Sequence, residues 1–106
     1  MQSIKPEQLK ELLDRGGSNA RLVDVREPWE FEICRIEGSE NIPMSELPAR
    51  LGAFDKDQPT VIICHHGARS LQVAEYLSRS GFTQVMNLEG GVNAWALTVD
   101  PDMEQY

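Results

Sequence analysis

The chain has 106 residues, the size of one compact domain, and we expect residues 1–106 to form a single domain. Hydrophobic residues make up 41% and charged residues 25%, a globular composition, and no run approaches the roughly 20 apolar residues of a membrane helix. Seventeen acidic against ten basic side chains give a net charge of −7, which argues against nucleic acid as a partner.

The first part of the chain alternates between helical and strand patterns. An amphipathic helix of about ten residues is predicted to begin at Pro6 and to end at Gly16-Gly17. The compact apolar run 21–25 predicts a short buried strand, and Pro28 opens a second short helix. The order helix, strand, helix is typical of an α/β protein.

The rest of the chain continues the alternation. Residues 45–51 predict a brief helix with Ser45 as its cap. The β-branched run 60–63 is the clearest strand in the sequence. A helix over 70–81, a strand at 85–88 and a last short helix follow. Because strands alternate with helices, the economical architecture is a parallel sheet covered on both faces.

The segment 64–70, which reads Cys-His-His-Gly-Ala-Arg-Ser, carries the chemistry of the sequence. It joins the end of a predicted buried strand to the start of a helix, where open α/β sheets bind ligands. A thiol at Cys64 would lie near the positive end of that helix and beneath loop N–H groups, and both favour the thiolate. Gly67 permits the positive φ of a tight loop, and Arg69 offers a fork of donors to an oxyanion.

Each of these residues also has an ordinary structural interpretation. Cys64 alone could be a small buried hydrophobic residue, and Arg69 alone a solvated residue at a helix end. The adjacent histidines His65 and His66 suggest a metal, but no set of ligands at metal spacing completes a site, so we expect none. We expect the two histidines to flank a pocket and to add donors at its rim. The combination of strand, Cys-x-x-Gly-x-Arg and helix favours a reactive Cys64.

The compartment follows from the cysteines and the amino end. Cys34 and Cys64 match neither a disulfide framework nor a metal knuckle, so they are predicted to be free thiols in a reducing compartment. The first residues lack the basic stretch and apolar core of a secretory signal. These features favour a cytoplasmic protein.

Five segments, in this order along the chain, resemble the rhodanese family of sulfurtransferases. The segments are 22–27, 30–32, 38 with 41–43, 61–70 and 88–95. The likeness covers nearly the whole chain and includes the reactive loop. It implies a single α/β domain with a central parallel sheet of about five short strands and helices on both faces.

The resemblance also implies a chemistry for Cys64. This residue would accept sulfane sulfur from a small anionic donor such as thiosulfate, or from a related persulfide donor, and pass it to a thiol or to cyanide. Neither a cofactor nor a metal is implied. The residues implied to bind the donor are His65, His66, Gly67, Ala68, Arg69 and Ser70. Arg69 would hold the sulfonate end, and the loop amides would stabilise the terminal charge of the persulfide.

Asp24 and Arg26 are implied to brace the active-site region, the alternative being a surface salt bridge of little energetic value. The common family pattern Gly-His-Ile-x-Gly-Ala departs here, because Cys34 and Arg35 replace the glycine and the histidine. Any hydrogen bond of that histidine is therefore in doubt. Cys34 could resolve the Cys64 persulfide as a disulfide, but a packed structural thiol is the favoured interpretation.

Loop length separates sulfur from phosphorus chemistry. Tyrosine phosphatases and the rhodanese-like cell-cycle phosphatases use Cys-x5-Arg, whereas Arg69 follows Cys64 after four residues, and the shorter loop favours sulfur. Two other functions stay open beside the enzyme. One is a persulfide relay that takes sulfur from a protein donor, and the other is a non-catalytic interaction domain. The presence of Cys64 counts against the interaction domain.

Overall fold

The computed structural model describes residues 1–16 and 19–106. Within these ranges, five strands form one fully parallel sheet in the order β1-β5-β4-β2-β3. The strands are β1 Gln2–Ile4, β2 Arg21–Asp24, β3 Glu40–Asn41, β4 Thr60–Ile63 and β5 Val85–Leu88. The predicted α/β class and the parallel sheet of five short strands are confirmed.

Helices cover both faces of the sheet. They are α1 Pro6–Asp14, α2 Pro28–Ile33, α3 Leu47–Arg50, α4 Ala68–Arg79 and α5 Gly91–Thr98, with a 3-10 turn at Leu51–Ala53. Side chains from α3 and α4 share one apolar cluster with the sheet, and side chains from α1, α2 and α5 share the other. Among the described residues, no helix has the length and apolar character that a membrane crossing requires.

The central strand β4 shows why the sheet is buried on both sides. All four of its residues are buried, and their β-branched side chains fit the pleated surface of a sheet. Ile62 points into the first cluster, whereas Val61 and Ile63 point into the second. This two-residue alternation is the geometry of an extended strand.

Several helix boundaries in the structure differ from the predicted boundaries. Helix α1 begins at Pro6 as predicted; of its predicted stop, Gly16 has a φ of 65° and Gly17 lies outside the described residues. Helix α4 begins at Ala68, two residues before the predicted start, because Gly67 is its N-cap. The predicted cap Ser45 is wrong, since α3 begins at Leu47 after Glu46.

Two strands were not predicted. β1 has three residues and β3 has two, so neither is long enough to show a period in the sequence. Both are edge strands, which pair only through β5 and β2 respectively. Long-range pairing, rather than local pattern, makes them strands.

The sheet register brings the carboxyl ends of three strands together. Asp24 at the end of β2 is paired with Ile63 at the end of β4, and Asn87 in β5 is paired with Ile62. The segments that follow these strands therefore meet at one edge of the sheet, which is where parallel sheets place their functional groups.

Candidate active site

Cys64 lies directly after β4, and its side chain is directed to the inside of the loop that leads into α4. The residue is 1% exposed. Its Sγ accepts a hydrogen bond from the Gly67 backbone N–H at 3.0 Å, and its thiol donates to Ser70 Oγ at 3.3 Å. The positive end of the twelve-residue helix α4 begins beside the sulfur. A backbone donor and a helix N-terminus both favour negative charge on a sulfur.

Ser70 connects the sulfur to the neighbouring strand. Its hydroxyl lies 3.1 Å from the Gly67 carbonyl oxygen and makes a short hydrogen bond with Asn87 Oδ1. The amide of Asn87 donates to the Gly67 carbonyl oxygen at 3.4 Å. Asn87 was not predicted as a site residue, because nothing in a four-residue strand marks an inward asparagine as a loop support. It fixes the hydroxyl that the sulfur contacts.

Helix α5 supports the loop from behind. The Val92 and Asn93 N–H groups donate to the Cys64 and His65 carbonyl oxygens at 2.9 and 3.0 Å. This close approach requires glycine at position 91, because a Cβ there would lie 2.2 Å from the Cys64 carbonyl oxygen. The φ of Gly91 is also 57°, in the left-handed region. In the sequence this glycine is part of the resemblance segment 88–95, and no local pattern indicates the close approach to Cys64.

Arg69 forms a two-armed ion pair with Glu30. Its Nη1 and Nη2 donate to Glu30 Oε1 and Oε2 at 2.7 and 2.8 Å. The Glu30 side chain is 5% exposed and the Arg69 side chain 36%. The hydrogen bonds from Arg69 lower the pKa of Glu30 to about 2, against the opposing effect of burial, and the Tyr106 hydroxyl acts in the same direction. The carboxylate is therefore ionised at neutral pH.

Electrostatics also relate Arg69 to the sulfur. The hydrogen bond to Glu30 is the main cause that raises the pKa of Arg69, and negative charge on Cys64 adds to the effect. The guanidinium therefore lies within electrostatic reach of the Cys64 sulfur. Glu30 belongs to the 30–32 segment of the family resemblance, but its position at the guanidinium depends on a contact between α2 and α4 that the sequence does not reveal.

Tyr106 joins the site from the carboxyl-terminal part of the chain. Its hydroxyl donates to Glu30 Oε2 at 2.7 Å and accepts from Arg26 Nη1 at 2.8 Å. Its ring stacks on His65 with centroids 4.0 Å apart and planes at 15°. Burial raises the pKa of Tyr106 to about 12, with the Arg26 hydrogen bond opposing, so the phenol is neutral at ordinary pH. No sequence signal identified this residue.

The two histidines differ in their surroundings. The His65 ring lies between Tyr106 and His66, with the His66 centroid 3.9 Å away. Burial is the main cause that lowers the pKa of His65 from its usual 6.5, and the neighbouring His66 adds to it. His66 and Ala68 are exposed on the outer side of the loop. In the described part of the chain, no group of three or more His, Cys, Asp or Glu residues could hold a metal ion.

Asp24 and Arg26 form a buried pair directly behind the loop. Both are 0% exposed, so the surface salt bridge that the sequence left open is wrong. Three hydrogen bonds of 2.7 to 3.1 Å join the guanidinium to the carboxylate. Arg26 also donates to the carbonyl oxygens of Glu30 and Cys34, at 3.3 and 2.6 Å. The Arg26 side chain thus connects the end of β2 to the carboxyl-terminal part of α2 and to Tyr106.

Cys34 and Cys64 are both free thiols, and they pack in different clusters of the core. Cys34 is 9% exposed, and its Sγ accepts a long hydrogen bond from Arg26 Nη1 at 3.7 Å. Residues Glu104 to Tyr106 line a narrow space next to Cys34 together with His65. Burial and separate packing favour the interpretation of Cys34 as a structural thiol, which stays a prediction.

A separate cavity of about 520 Å³ lies at the opposite edge of the sheet. It is lined in part by Gln8, Arg15, Pro59 and Met86. No cysteine or histidine is among its lining residues. Cys64 and the loop donor Gly67 N–H both lie at the carboxyl edge, so we assign the candidate site there.

With this geometry in place, comparison with known proteins identifies the class. The model of the rhodanese-like domain family matches residues 5–98, and the chain belongs to this family. A crystal structure of a rhodanese-like domain protein from Staphylococcus aureus has a TM-score of 0.83 at 37% identity, covering 90% of this chain and 91% of that one. The predicted membership is confirmed; that residues 1–106 are one whole domain stays a prediction.

Two similar proteins have names that state an activity. A protein named thiosulfate sulfurtransferase GlpE, from Pseudomonas aeruginosa, is 37% identical over 89% of this chain and 83% of its own length. A probable adenylyltransferase/sulfurtransferase, MoeZ, from Mycobacterium tuberculosis is 36% identical over 98% of this chain, which spans only 27% of that relative. At the level of the family, these relatives support a rhodanese-type sulfurtransferase.

Proposed function

We propose that the protein is a sulfurtransferase that moves a sulfane sulfur from thiosulfate or a related persulfide donor to a thiol or to cyanide through a persulfide on Cys64. The observation that carries the proposal is the hydrogen bond from the Gly67 N–H to Cys64 Sγ, 3.0 Å long, at the N-terminus of α4. A thiolate in this position is stabilised by a donor that needs no rearrangement during the reaction.

The first half-reaction forms the covalent intermediate. The Cys64 thiolate attacks the outer sulfur of thiosulfate, a sulfur–sulfur bond forms, the bond to the sulfonate sulfur breaks, and sulfite leaves with the electron pair. The Ser70 hydroxyl, 3.3 Å from the sulfur, can rotate its proton toward the new negative charge. In the second half-reaction the acceptor attacks the terminal sulfur and regenerates the thiolate, which predicts ping-pong kinetics.

The other loop residues have proposed roles that follow their positions. Backbone N–H groups from His65 to Ser70, including that of Ala68, surround the terminal sulfur of the intermediate, and Arg69 binds the sulfonate end of the donor. His65 and His66 form the rim that the acceptor passes. The buried Asp24–Arg26 pair holds the end of β2 against α2 and so keeps Glu30 opposite Arg69.

The setting of the reaction is part of the proposal. Both cysteines are free thiols, which suits a reducing, cytoplasmic compartment. The partners are small sulfur donors and thiol acceptors, with neither nucleic acid nor membrane involved. The net charge of −7 means that long-range attraction of an anionic donor is absent, so the loop must supply the binding.

The proposal is tested by thiocyanate formation from thiosulfate and cyanide. We expect wild-type protein to produce thiocyanate, Cys64→Ser to produce none, and the matched variant Cys34→Ser to remain active. Intact mass measurement after exposure to a donor should show one added sulfur that a reductant removes. Absence of both thiocyanate above the buffer rate and the added sulfur would contradict the proposal.

A second candidate is a persulfide relay loaded by a protein donor. The aromatic pair Trp29 and Tyr106 favours it, because these rings lie 5.8 Å apart, are 59% and 38% exposed, and adjoin the loop through His65. Exposed aromatic side chains beside a site are typical of protein contacts. Loading of Cys64 by a cysteine desulfurase but not by thiosulfate would support the relay.

A further inference from the structure

The guanidinium of Arg69 is already engaged in the structure. Its two terminal nitrogens bind both oxygens of Glu30, so the end-on fork that best fits a planar or tetrahedral oxyanion is occupied. The single charge of Glu30 also neutralises that of Arg69. A donor that carries a sulfonate must therefore compete with a carboxylate for this cation.

Glu30 is held in place by contacts other than Arg69. Its Oε2 accepts from the Tyr106 hydroxyl at 2.7 Å, and its Oε1 accepts from the Glu27 backbone N–H at 3.0 Å in a capping box. If Arg69 turns toward a donor, these two hydrogen bonds keep the carboxylate where it is. An incoming sulfonate would then meet a buried negative charge as well as the positive one.

We propose that Glu30 is a specificity-determining residue that makes the Cys64 loop prefer persulfide donors over donors with a sulfonate, such as thiosulfate. The inference rests on the proposed function, because it assumes that Cys64 accepts sulfane sulfur. Glu30 acts on the choice of donor through Arg69, and Tyr106 acts through Glu30 as a positioning residue.

The preferred step needs no oxyanion site. The Cys64 thiolate attacks the terminal sulfur of a thiol persulfide R–S–SH, and a new sulfur–sulfur bond forms to that atom. The sulfur–sulfur bond of the donor breaks, R–S⁻ leaves with the electron pair, and the proton remains on the transferred sulfur. No external oxidant or reductant takes part. The Gly67 N–H and the Ser70 hydroxyl are sufficient to stabilise the product, and the Arg69–Glu30 pair stays intact.

The test compares two donors on the same protein. Purified protein is loaded anaerobically with thiosulfate or with glutathione persulfide, and the rate of sulfur addition to Cys64 is followed by intact mass. In Glu30→Gln we expect the ratio of the thiosulfate rate to the persulfide rate to rise about tenfold, as the loss of one charge-assisted competitor implies. The matched control Glu32→Gln removes the same charge from an exposed position on α2 and should leave the ratio unchanged.

Two further variants tie the effect to the proposed contacts. Tyr106→Phe keeps the ring but removes one hydrogen bond to Glu30, and the ratio should rise about threefold. In the double variant Glu30→Gln with Arg69→Ala the gain should disappear, because the freed cation is missing. Tyr106→Phe also provides the test should Glu30→Gln fail to fold.

The outcomes separate the two proposals. If neither donor adds sulfur to wild-type Cys64, the proposed function fails. If both donors load Cys64 but the ratio is unchanged in folded Glu30→Gln and in Tyr106→Phe, the specificity inference fails alone. A gain that persists in the double variant would also overturn it, since the effect would not pass through Arg69.

Discussion

Replacing Asp24 by Asn removes the charge that compensates a guanidinium without solvent contact. Asp24 and Arg26 are both 0% exposed, and the carboxylate accepts three side-chain hydrogen bonds and the Arg26 N–H at 3.1 Å. Breaking a buried pair in this way costs about 3 to 5 kcal/mol, because one charge remains buried without a counter-charge. Arg26 retains its bonds to Cys34 and Tyr106, so we expect the lower end of that range.

The measurement is chemical denaturation together with thermal unfolding. A loss of about 3 kcal/mol in a domain of this size lowers the unfolding midpoint by roughly 12 °C or more. The matched control is Asp14→Asn, which breaks the Lys10–Asp14 pair, whose side chains are 50% and 62% exposed. Such an exposed pair contributes under about 1 kcal/mol. Equally small losses of unfolding free energy in Asp24→Asn and Asp14→Asn would refute the argument that the buried Asp24–Arg26 pair stabilises the region behind the Cys64 loop.

Two further predictions concern the site. Gly91→Ala places a Cβ 2.2 Å from the Cys64 carbonyl oxygen at a φ of 57°. We therefore expect chemical denaturation to show a loss of at least about 2 kcal/mol in the free energy of unfolding, and sulfur loading of Cys64 to be slower. Unchanged stability and loading would contradict the close approach. The pKa of Glu30 is lowered from the ordinary glutamate value of 4.5, which applies to the unfolded chain, to about 2 in the folded protein. The unfolded chain therefore binds more protons, and the stability from the pair, complete above about pH 5, is lost as pH falls toward 2. In Glu30→Gln, unfolding measured across this range should lose that component of the pH dependence.

The sequence predicted the elements that have a strong local signal. Pro6 and Pro28 fix φ at helix starts, and both helices begin there. The run Thr60–Ile63 is β-branched and buried throughout, and it is a strand. The short edge strands β1 and β3 have no such signal, because they exist only through pairing with β5 and β2.

Cys64, its loop and the presence of a helix after the loop were predicted from contiguous residues, because a strand, a thiol, a glycine and a helix are neighbours in the sequence. The roles of these residues stay predictions. What the sequence did not contain is the surroundings of that loop: Glu30, Asn87, Gly91 and Tyr106 come from four other parts of the chain. Their contacts depend on the order of the strands and on the packing of α2 and α5.

The amino-acid sequence by itself determined the class of fold and the position of the candidate loop 64–70, because local periodicity indicates the fold and one contiguous motif marks the loop. Only the tertiary structure decided what Arg69 faces. Its charge is opposed by Glu30 at 2.7 Å, a carboxylate 39 residues away in the chain, and Glu30 in turn is held by Tyr106. Electrostatic interactions depend on distance in space rather than on distance along the chain, so the specificity of the loop becomes visible only after folding.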